Sequence, residues 1–205
     1  YDSPLIVATD EKIETIEQVL PTLELAAREN RPLIIIADME GQALAAVIAN
    51  AVRGTMKIAA IKPPRYGEER RNILKDTCSS TGATFITREN GLQLKQVQLT
   101  HFGQCKSISI NKGWTTLVGG KGDYEEIDKK IEALKVEIKN TGALKECERI
   151  QERITRLASG VAVIRVGAAT EIEMIEKKHR IDDALEAVRS AQEEGIVAGG
   201  GVALL

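Results

Sequence analysis

The sequence predicts an α/β fold in which helices flank a mainly parallel sheet. Continuous apolar runs, typified by residues 33–37, alternate with segments whose apolar residues recur at helical spacing. Breaks such as Lys62-Pro63-Pro64 separate these segments. Only 3% of the residues are aromatic. The core is therefore expected to consist of Leu, Ile, Val and Ala side chains.

The first part of the chain supplies the alternating elements of this sheet. Pro21 lies inside the first helical pattern and is expected to kink or break it, because proline has no N–H and crowds the preceding turn. Strands are predicted at residues 5–8, 33–37, 57–61 and 84–86, and helices at residues 12–27, 41–52 and 68–78.

The second part of the chain predicts a hairpin followed by charged helices. Asn111-Lys112-Gly113 separates two short strands, at residues 107–110 and 115–118. Apolar stripes over residues 124–139 and 144–157 predict two antiparallel helices. A further strand is predicted at residues 161–166. A long, charge-rich helix then covers residues 171–194 and ends at Gly195.

Bulk composition excludes several classes of function. The 205 residues carry a net charge of −2, which gives no electrostatic basis for nucleic-acid binding. No apolar run reaches the length of a membrane span, and the first residues do not resemble a signal peptide. Cys78, Cys105 and Cys147 lack the spacing of a disulfide framework or zinc site, so reduced thiols are expected.

The chain is expected to be a fragment, because it begins at Tyr1 and stops within an apolar segment.

Three features allow more than one interpretation from pattern alone. The apolar faces of the first two helices either belong to the core or leave a groove that takes apolar segments without reading their sequence. Gly199-Gly200-Gly201 is typical of a flexible linker or helix cap, or else of close backbone approach to a phosphate. Asp182-Asp183 is either a solvated acidic pair or a site that holds Mg²⁺ or a water. The GxxxxGK[ST] pattern of a P-loop is absent from the sequence.

Longer stretches resemble the group I chaperonins, the GroEL family. The most specific are residues 182–185, Asp-Asp-Ala-Leu, and residues 193–204, Glu-Glu-Gly-Ile-Val-Ala-Gly-Gly-Gly-Val-Ala-Leu. Residues 32–37, 41–45 and 161–171 add to the resemblance, which covers essentially the whole chain. Arg65, where the family usually has glycine, and Ser159, in place of a second hinge glycine, depart from the pattern.

The resemblance implies a division into parts of three domains. Residues 1–160 correspond to an apical domain without its first part, with an apical-type sheet flanked by helices and a helical hairpin. Residues 161–194 correspond to the returning half of the intermediate domain with its long helix, and residues 195–205 to the truncated start of the equatorial segment. The full subunit is expected to form heptameric rings, either in the cytoplasm as a bacterial or phage-encoded protein or in an organellar matrix. The fragment is expected to be a monomer.

The resemblance also implies binding residues, and it favours the groove. In the family, two apical helices present apolar side chains to unfolded polypeptides and to a GroES-like co-chaperonin. The matching positions are Leu20, Leu23, Leu44, Ile48 and Ala49, with Asn50 beside them. Ala49 is smaller than the residue usual there, so a shallower groove is expected at that point.

Nucleotide chemistry is implied at other positions. Asp183 matches the carboxylate that helps to activate the water attacking ATP, and Gly200 matches a glycine that contacts the nucleotide. Gly160 and Gly195 match hinges, and Glu171 matches a residue that pairs with a neighbouring apical domain. ATP and Mg²⁺ are expected in the full-length, ATP-hydrolysing subunit, and no activity is expected of the fragment. The alternative is an α/β scaffold or small-molecule-binding domain without ATP linkage, with any ligand at the carboxyl ends of the strands.

Overall fold

The computed structural model describes residues 1–158 and 164–204, which fall into two compact units. The first unit is Tyr1–Val161 and the second is Ala162–Leu205. The first unit contains one five-stranded sheet in the spatial order β3-β2-β1-β4-β5. Its strands are β1 (Leu5–Ile13), β2 (Leu33–Met39), β3 (Ile58–Ile61), β4 (Gly103–Ile110) and β5 (Thr115–Gly120).

Helices flank this sheet, as the sequence predicts. Of the two outcomes expected at Pro21, a kink or a break, the break is wrong, because helix α1 runs unbroken through this residue. Its buried residues, among them Val19 and Ala26, hold it against the sheet. The helices are α1 (Ile16–Glu29), α2 (Gly41–Val52), α3 (Gly67–Thr81), α4 (Tyr124–Asn140), α5 (Leu144–Ala158) and, in the second unit, α6 (Glu171–Glu194). Short 3-10 turns occupy Arg88–Asn90, Leu94–Gln96, Leu99–His101 and Val202–Leu204.

The predicted parallel pairing is confirmed for the strands of the first part and the predicted hairpin for those of the second, but the sheet as a whole is mixed and not mainly parallel. Strands β1, β2 and β3 are parallel, whereas β4 pairs antiparallel with both β1 and β5. The tight connection at residues 111–114 forces β4 and β5 to be antiparallel. The strand predicted at residues 84–86 reduces to a single bridge from Ile86 to Thr9. Of the strand predicted at residues 161–166, the described part, residues 164–166, is not in a strand.

Alternation along the buried strands separates the core into two layers. On one face, Val7 and Ile35 belong to a cluster that includes α1 and α2. On the other face, Ile6 and Ile34 belong to a cluster that includes Leu74 of α3. Side chains of successive strand residues point to opposite faces, so α1 and α2 lie on the same side of the sheet and α3 on the other. This arrangement places the two helices of the predicted groove next to each other.

An ion-pair cluster ties the helical hairpin of α4 and α5 to α3. The hairpin has its own small core, in which Ile131 and Ile154 are buried. Asp76 of α3 accepts two hydrogen bonds from the Arg153 guanidinium, at 2.8 and 3.1 Å, and lies 2.8 Å from Lys130 Nζ. The hydrogen bond to Asp76 raises the pKa of Arg153 above its usual value. Asp76 therefore fixes both helices of the hairpin to the sheet domain.

Arg65 adopts the left-handed backbone conformation that its glycine-like position requires. Its φ is 64°, and its side chain reaches toward Glu69 with an N–O distance of 3.5 Å. Its carbonyl oxygen accepts a hydrogen bond from Arg70 Nε at 3.0 Å. A non-glycine residue is strained at such a φ. The arginine at this position therefore keeps the backbone conformation that glycine would adopt and adds a positive charge to the loop.

The three cysteines are free thiols, and two of them lie in the core. Burial raises the pKa of Cys78 to about 12, and burial also raises the pKa of Cys105. Cys147 is only partly buried, and its Sγ lies 3.3 Å from the Thr141 carbonyl oxygen.

Alkylation of the folded chain with iodoacetamide at pH 8 is expected to modify Cys147 well before Cys78 or Cys105, because the reagent attacks the thiolate and needs access to it. Peptide mass spectrometry after timed quenching measures the order. A urea-unfolded sample is the control, in which all three thiols should react at similar rates. Early modification of Cys78 in the folded chain would contradict the burial assigned to it.

The second unit is built on one long helix. Thr170 caps α6 by accepting a hydrogen bond from the Glu173 N–H at 3.3 Å. The helix ends at Gly195, whose φ is 84°. Most of its described side chains are exposed, and none of them is buried. No helix within the described residues has the length and apolarity needed to cross a membrane.

Candidate functional site

Helices α1 and α2 carry apolar side chains on both their inner and outer sides. The inner side chains, such as Val19 on α1 and Val47 on α2, are buried against the sheet. On the outer side, Leu20 is 46% exposed and Ile48 is 52% exposed. Each helix therefore packs into the core along one stripe and leaves large aliphatic groups facing solvent along another.

Leu44, Ala49 and Asn50 lie at the margin of this outer surface. Leu44 is half-buried and packs against the core cluster. Ala49 is also half-buried. Asn50 donates a hydrogen bond from Nδ2 to the Ala46 carbonyl oxygen at 2.9 Å and accepts one on Oδ1 from the Thr55 hydroxyl at 3.1 Å. Its amide is thus engaged in holding the end of α2.

The expectation that Leu23 presents its side chain on the outer surface is wrong. Leu23 is only 8% exposed and belongs to the core cluster with Val19 and Ala26. The three residues are spaced by three and four positions, so they share the inward face of α1. Leu20, the residue after Val19, points away from this inward face and is exposed.

Two exposed aliphatic residues extend the surface beyond the predicted set. Ile16 is 41% exposed and precedes Leu20 by four residues, and Val52 is 81% exposed and follows Ile48 by four. Residues four apart are neighbours on a helix surface. This spacing is the signal in the sequence that could have found them. We define the outer surface as Ile16, Leu20, Leu44, Ile48 and Val52.

The residues that the resemblance assigns to nucleotide chemistry, Asp183 and Gly200, lie in the second unit. Asp183 is exposed on α6, as is the adjacent Asp182. Glu171 is the first residue of α6 and is also exposed. Gly160 lies outside the described residues. Gly195 has a φ of 84°, a backbone conformation that glycine adopts readily and that a hinge can use.

The glycine run after α6 is open to close approach. Gly200 and Gly201 have φ values of 71° and 81°. A Cβ added at Gly199, Gly200 or Gly201 would meet no atom within 4 Å. The bare backbone can therefore approach a phosphate or ribose. Among the described residues there is no cluster of three His, Cys, Asp or Glu side chains that would hold a metal ion. Asp183 and the glycine run therefore offer two parts of a nucleotide site, one carboxylate and an open glycine backbone.

The carboxyl ends of the parallel strands carry ion pairs in place of an open ligand site. Asp10 follows the buried part of β1 and lies 3.0 Å from Arg71 Nε. Asp38 of β2 lies 3.4 Å from both Lys62 Nζ and Arg70 Nη1. These charged groups converge as a small-molecule site would need, but they neutralise one another. The geometry therefore gives the alternative of a ligand-binding α/β domain little support.

Comparison with protein-family models gives one match of nearly full length. The model described as the TCP-1/cpn60 chaperonin family matches residues 8–205. The match spans both compact units, including the two helices of the outer surface and the segment that contains Asp183 and Gly200.

Proposed function

The chain belongs to the TCP-1/cpn60 chaperonin family, and from this premise we propose that its outer surface binds non-native polypeptides as part of an ATP-driven folding cycle. Proteins of this family are protein-folding chaperonins that generally bind ATP and Mg²⁺, act on client polypeptides and form rings. The observation that carries the proposal is the exposure of Leu20 and Ile48 on two adjacent helices whose inner sides, at Val19 and Val47, are already buried in the core.

The physical basis of client capture is burial of apolar area. An unfolded polypeptide exposes aliphatic and aromatic side chains that a folded protein hides. Contact with the outer surface removes both partners from water and contributes about 0.8 kcal/mol for each buried CH₂. Such contact is not directional, so it selects for exposed apolar area and not for a particular sequence. A ring presents several copies of the surface, and simultaneous contacts would add avidity.

We further propose that a GroES-like co-chaperonin uses the same surface, in the manner of the group I members of the family. An amphipathic segment of a partner can place its apolar side chains between two helices as a client does. Competition for one surface would then release the client when the co-chaperonin binds. The half-buried Leu44 and the small Ala49 would form the floor of this contact.

The nucleotide supplies the free energy of the cycle when it is bound to the complete subunit. From this chain, the exposed Asp183 carboxylate would accept a hydrogen bond from the water that attacks the γ-phosphate and orient that water. The backbone at Gly200 would approach the nucleotide closely, since no side chain stands in the way. Gly195 would let α6 change direction as the domains close.

Replacing both Leu20 and Ile48 by Glu is expected to weaken binding of an unfolded polypeptide at least about 10-fold, because a carboxylate loses the apolar contact and must be desolvated. Fluorescence anisotropy with a labelled protein, kept unfolded by reduction and alkylation of its disulfides, measures the affinity. Leu44 is a poorer target for such a test because it also packs in the core.

The matched control for this experiment is Val136→Glu on α4. Val136 is 55% exposed, close to the 52% of Ile48, but it lies on the helical hairpin. The control should leave binding unchanged, and circular dichroism should show that all variants keep their helices. Full binding by the Leu20→Glu, Ile48→Glu double variant would refute the assignment of the client site to α1 and α2.

A further inference from the structure

Two carboxylates flank the exposed Leu20 on the outer side of α1. Glu17 precedes Leu20 by three residues and Glu24 follows it by four, so both are its neighbours on the helix surface. The Glu17 side chain is 85% exposed, and Glu24 is also exposed. A segment that covers Leu20 must therefore pass beside these two charges.

Local cations compensate this negative charge only in part. Glu17 has one ionic neighbour, Lys95, at the long distance of 4.0 Å. Glu24 takes part in none of the ion pairs formed by residues 1–158 and 164–204, although Arg28 follows on the next turn. By contrast, Lys12 lies 2.9 Å from both Glu14 and Glu40, and it balances those carboxylates.

The α2 side of the outer surface carries no comparable charge. Ile48 lies between Leu44 and Val52 at spacings of four, and every residue of α2 before its C-cap, Arg53, is uncharged. The outer surface thus joins a neutral aliphatic stripe on α2 to an aliphatic stripe on α1 that has an acidic border. Such a border attracts cations on a bound segment and repels anions.

We propose that this surface selects, among apolar segments, those flanked by Lys or Arg. The inference rests on the proposed function and adds a charge preference to it. A basic residue three or four positions from the apolar anchor would reach Glu17 or Glu24 while the anchor covers Leu20. Exposed ion pairs are weak and screened by salt, so the preference is expected to be about 3- to 10-fold at low ionic strength.

Two labelled peptides test this preference. Both have the same Leu-Ile-Val centre, and they differ only in carrying Lys or Glu on both flanks. Fluorescence anisotropy at about 20 mM salt is expected to show that the Lys-flanked peptide binds about 3- to 10-fold more tightly to the chain. Raising the salt concentration to about 500 mM should bring the two affinities together, because the Debye length then falls to a few ångströms.

Charge-removing variants identify the residues responsible. The Glu17→Gln, Glu24→Gln double variant keeps side-chain size and is expected to bind both peptides with nearly equal affinity. Glu29→Gln is the matched control, because Glu29 is exposed on α1 but lies nine residues from Leu20, on the opposite side of the helix. It should preserve the preference.

The outcomes separate the two proposals. Equal binding of both peptides to the unmodified chain, or a preference that persists in the double variant, overturns the charge inference and leaves the client site in place. If neither peptide binds the chain at any salt concentration, the proposed client site fails, and the charge preference fails with it.

Discussion

Replacement of Asp183 by Ala, in a ring-forming subunit that contains this chain, is expected to lower steady-state ATP hydrolysis by about 10²- to 10⁴-fold. This is the range lost when a positioned acid–base group is removed. Asp183 is exposed on α6, so its carboxylate is available to a water molecule and is not required for packing. A coupled assay of phosphate release measures the rate, and nucleotide affinity should change little because the carboxylate acts on the water.

Asp182→Ala is the control for this experiment. Asp182 is the adjacent residue, is also an aspartate and is also exposed, but the resemblance assigns it no role. Its variant should hydrolyse ATP at close to the normal rate and bind unfolded polypeptide normally. Normal turnover by the Asp183→Ala subunit would instead favour the alternative of a scaffold domain, in which Asp183 is a solvated acid on a charged helix.

Replacement of Asp76 by Ala is expected to lower the free energy of unfolding of the first unit by about 3–5 kcal/mol. Asp76 is 10% exposed at its side chain and is the shared partner of Arg153 and Lys130, whose side chains are 16% and 26% exposed. Its removal leaves two poorly solvated cations without a carboxylate partner, although Lys130 keeps its hydrogen bond to the Ser79 hydroxyl, and this is far more costly than losing an exposed pair. Urea unfolding followed by circular dichroism measures the loss, and Tm should fall by roughly 10 °C.

A second substitution distinguishes a lost ion pair from lost packing. Adding Arg153→Met to Asp76→Ala removes one of the two stranded cations, and part of the lost stability should return. Asp128→Ala, at an exposed position on α4, is the control and should change stability by less than about 0.5 kcal/mol. If Asp76→Ala unfolds no more easily than this control, the cluster does not hold the hairpin.

Helices were the most predictable part of this fold. The predicted residues 41–52 and 171–194 coincide with α2 and α6, because a clear apolar period or a glycine marks their ends. Strand pairing was harder to predict. The run at residues 84–86 contains two buried apolar residues, Phe85 and Ile86, yet only a single bridge joins it to β1. A residue can be buried without belonging to a paired strand, and the apolar pattern of a sequence predicts burial but not strand pairing.

The binding surface was predicted in position but not in its full composition. Helical spacing grouped Leu20 with Leu23, and the structure separates them into an exposed and a buried residue. It likewise separates Val47, which is buried, from Ile48, which is exposed. These residues lie at the edge of the apolar stripe of an amphipathic helix. The angle at which the helix packs against the sheet decides which of them are buried and which are exposed.

The sequence by itself determined the α/β class, the succession of helices and the chaperonin family, because periodicity and long specific motifs are local properties of the chain. Only the tertiary structure decided that the sheet is mixed, that Leu23 is interior, and that Ile16 and Val52 join the outer surface. It also brought Asp76 to Arg153, 77 positions away in the chain. These features depend on which elements pack together and on which face, and contacts between distant residues leave no periodic signal in the sequence.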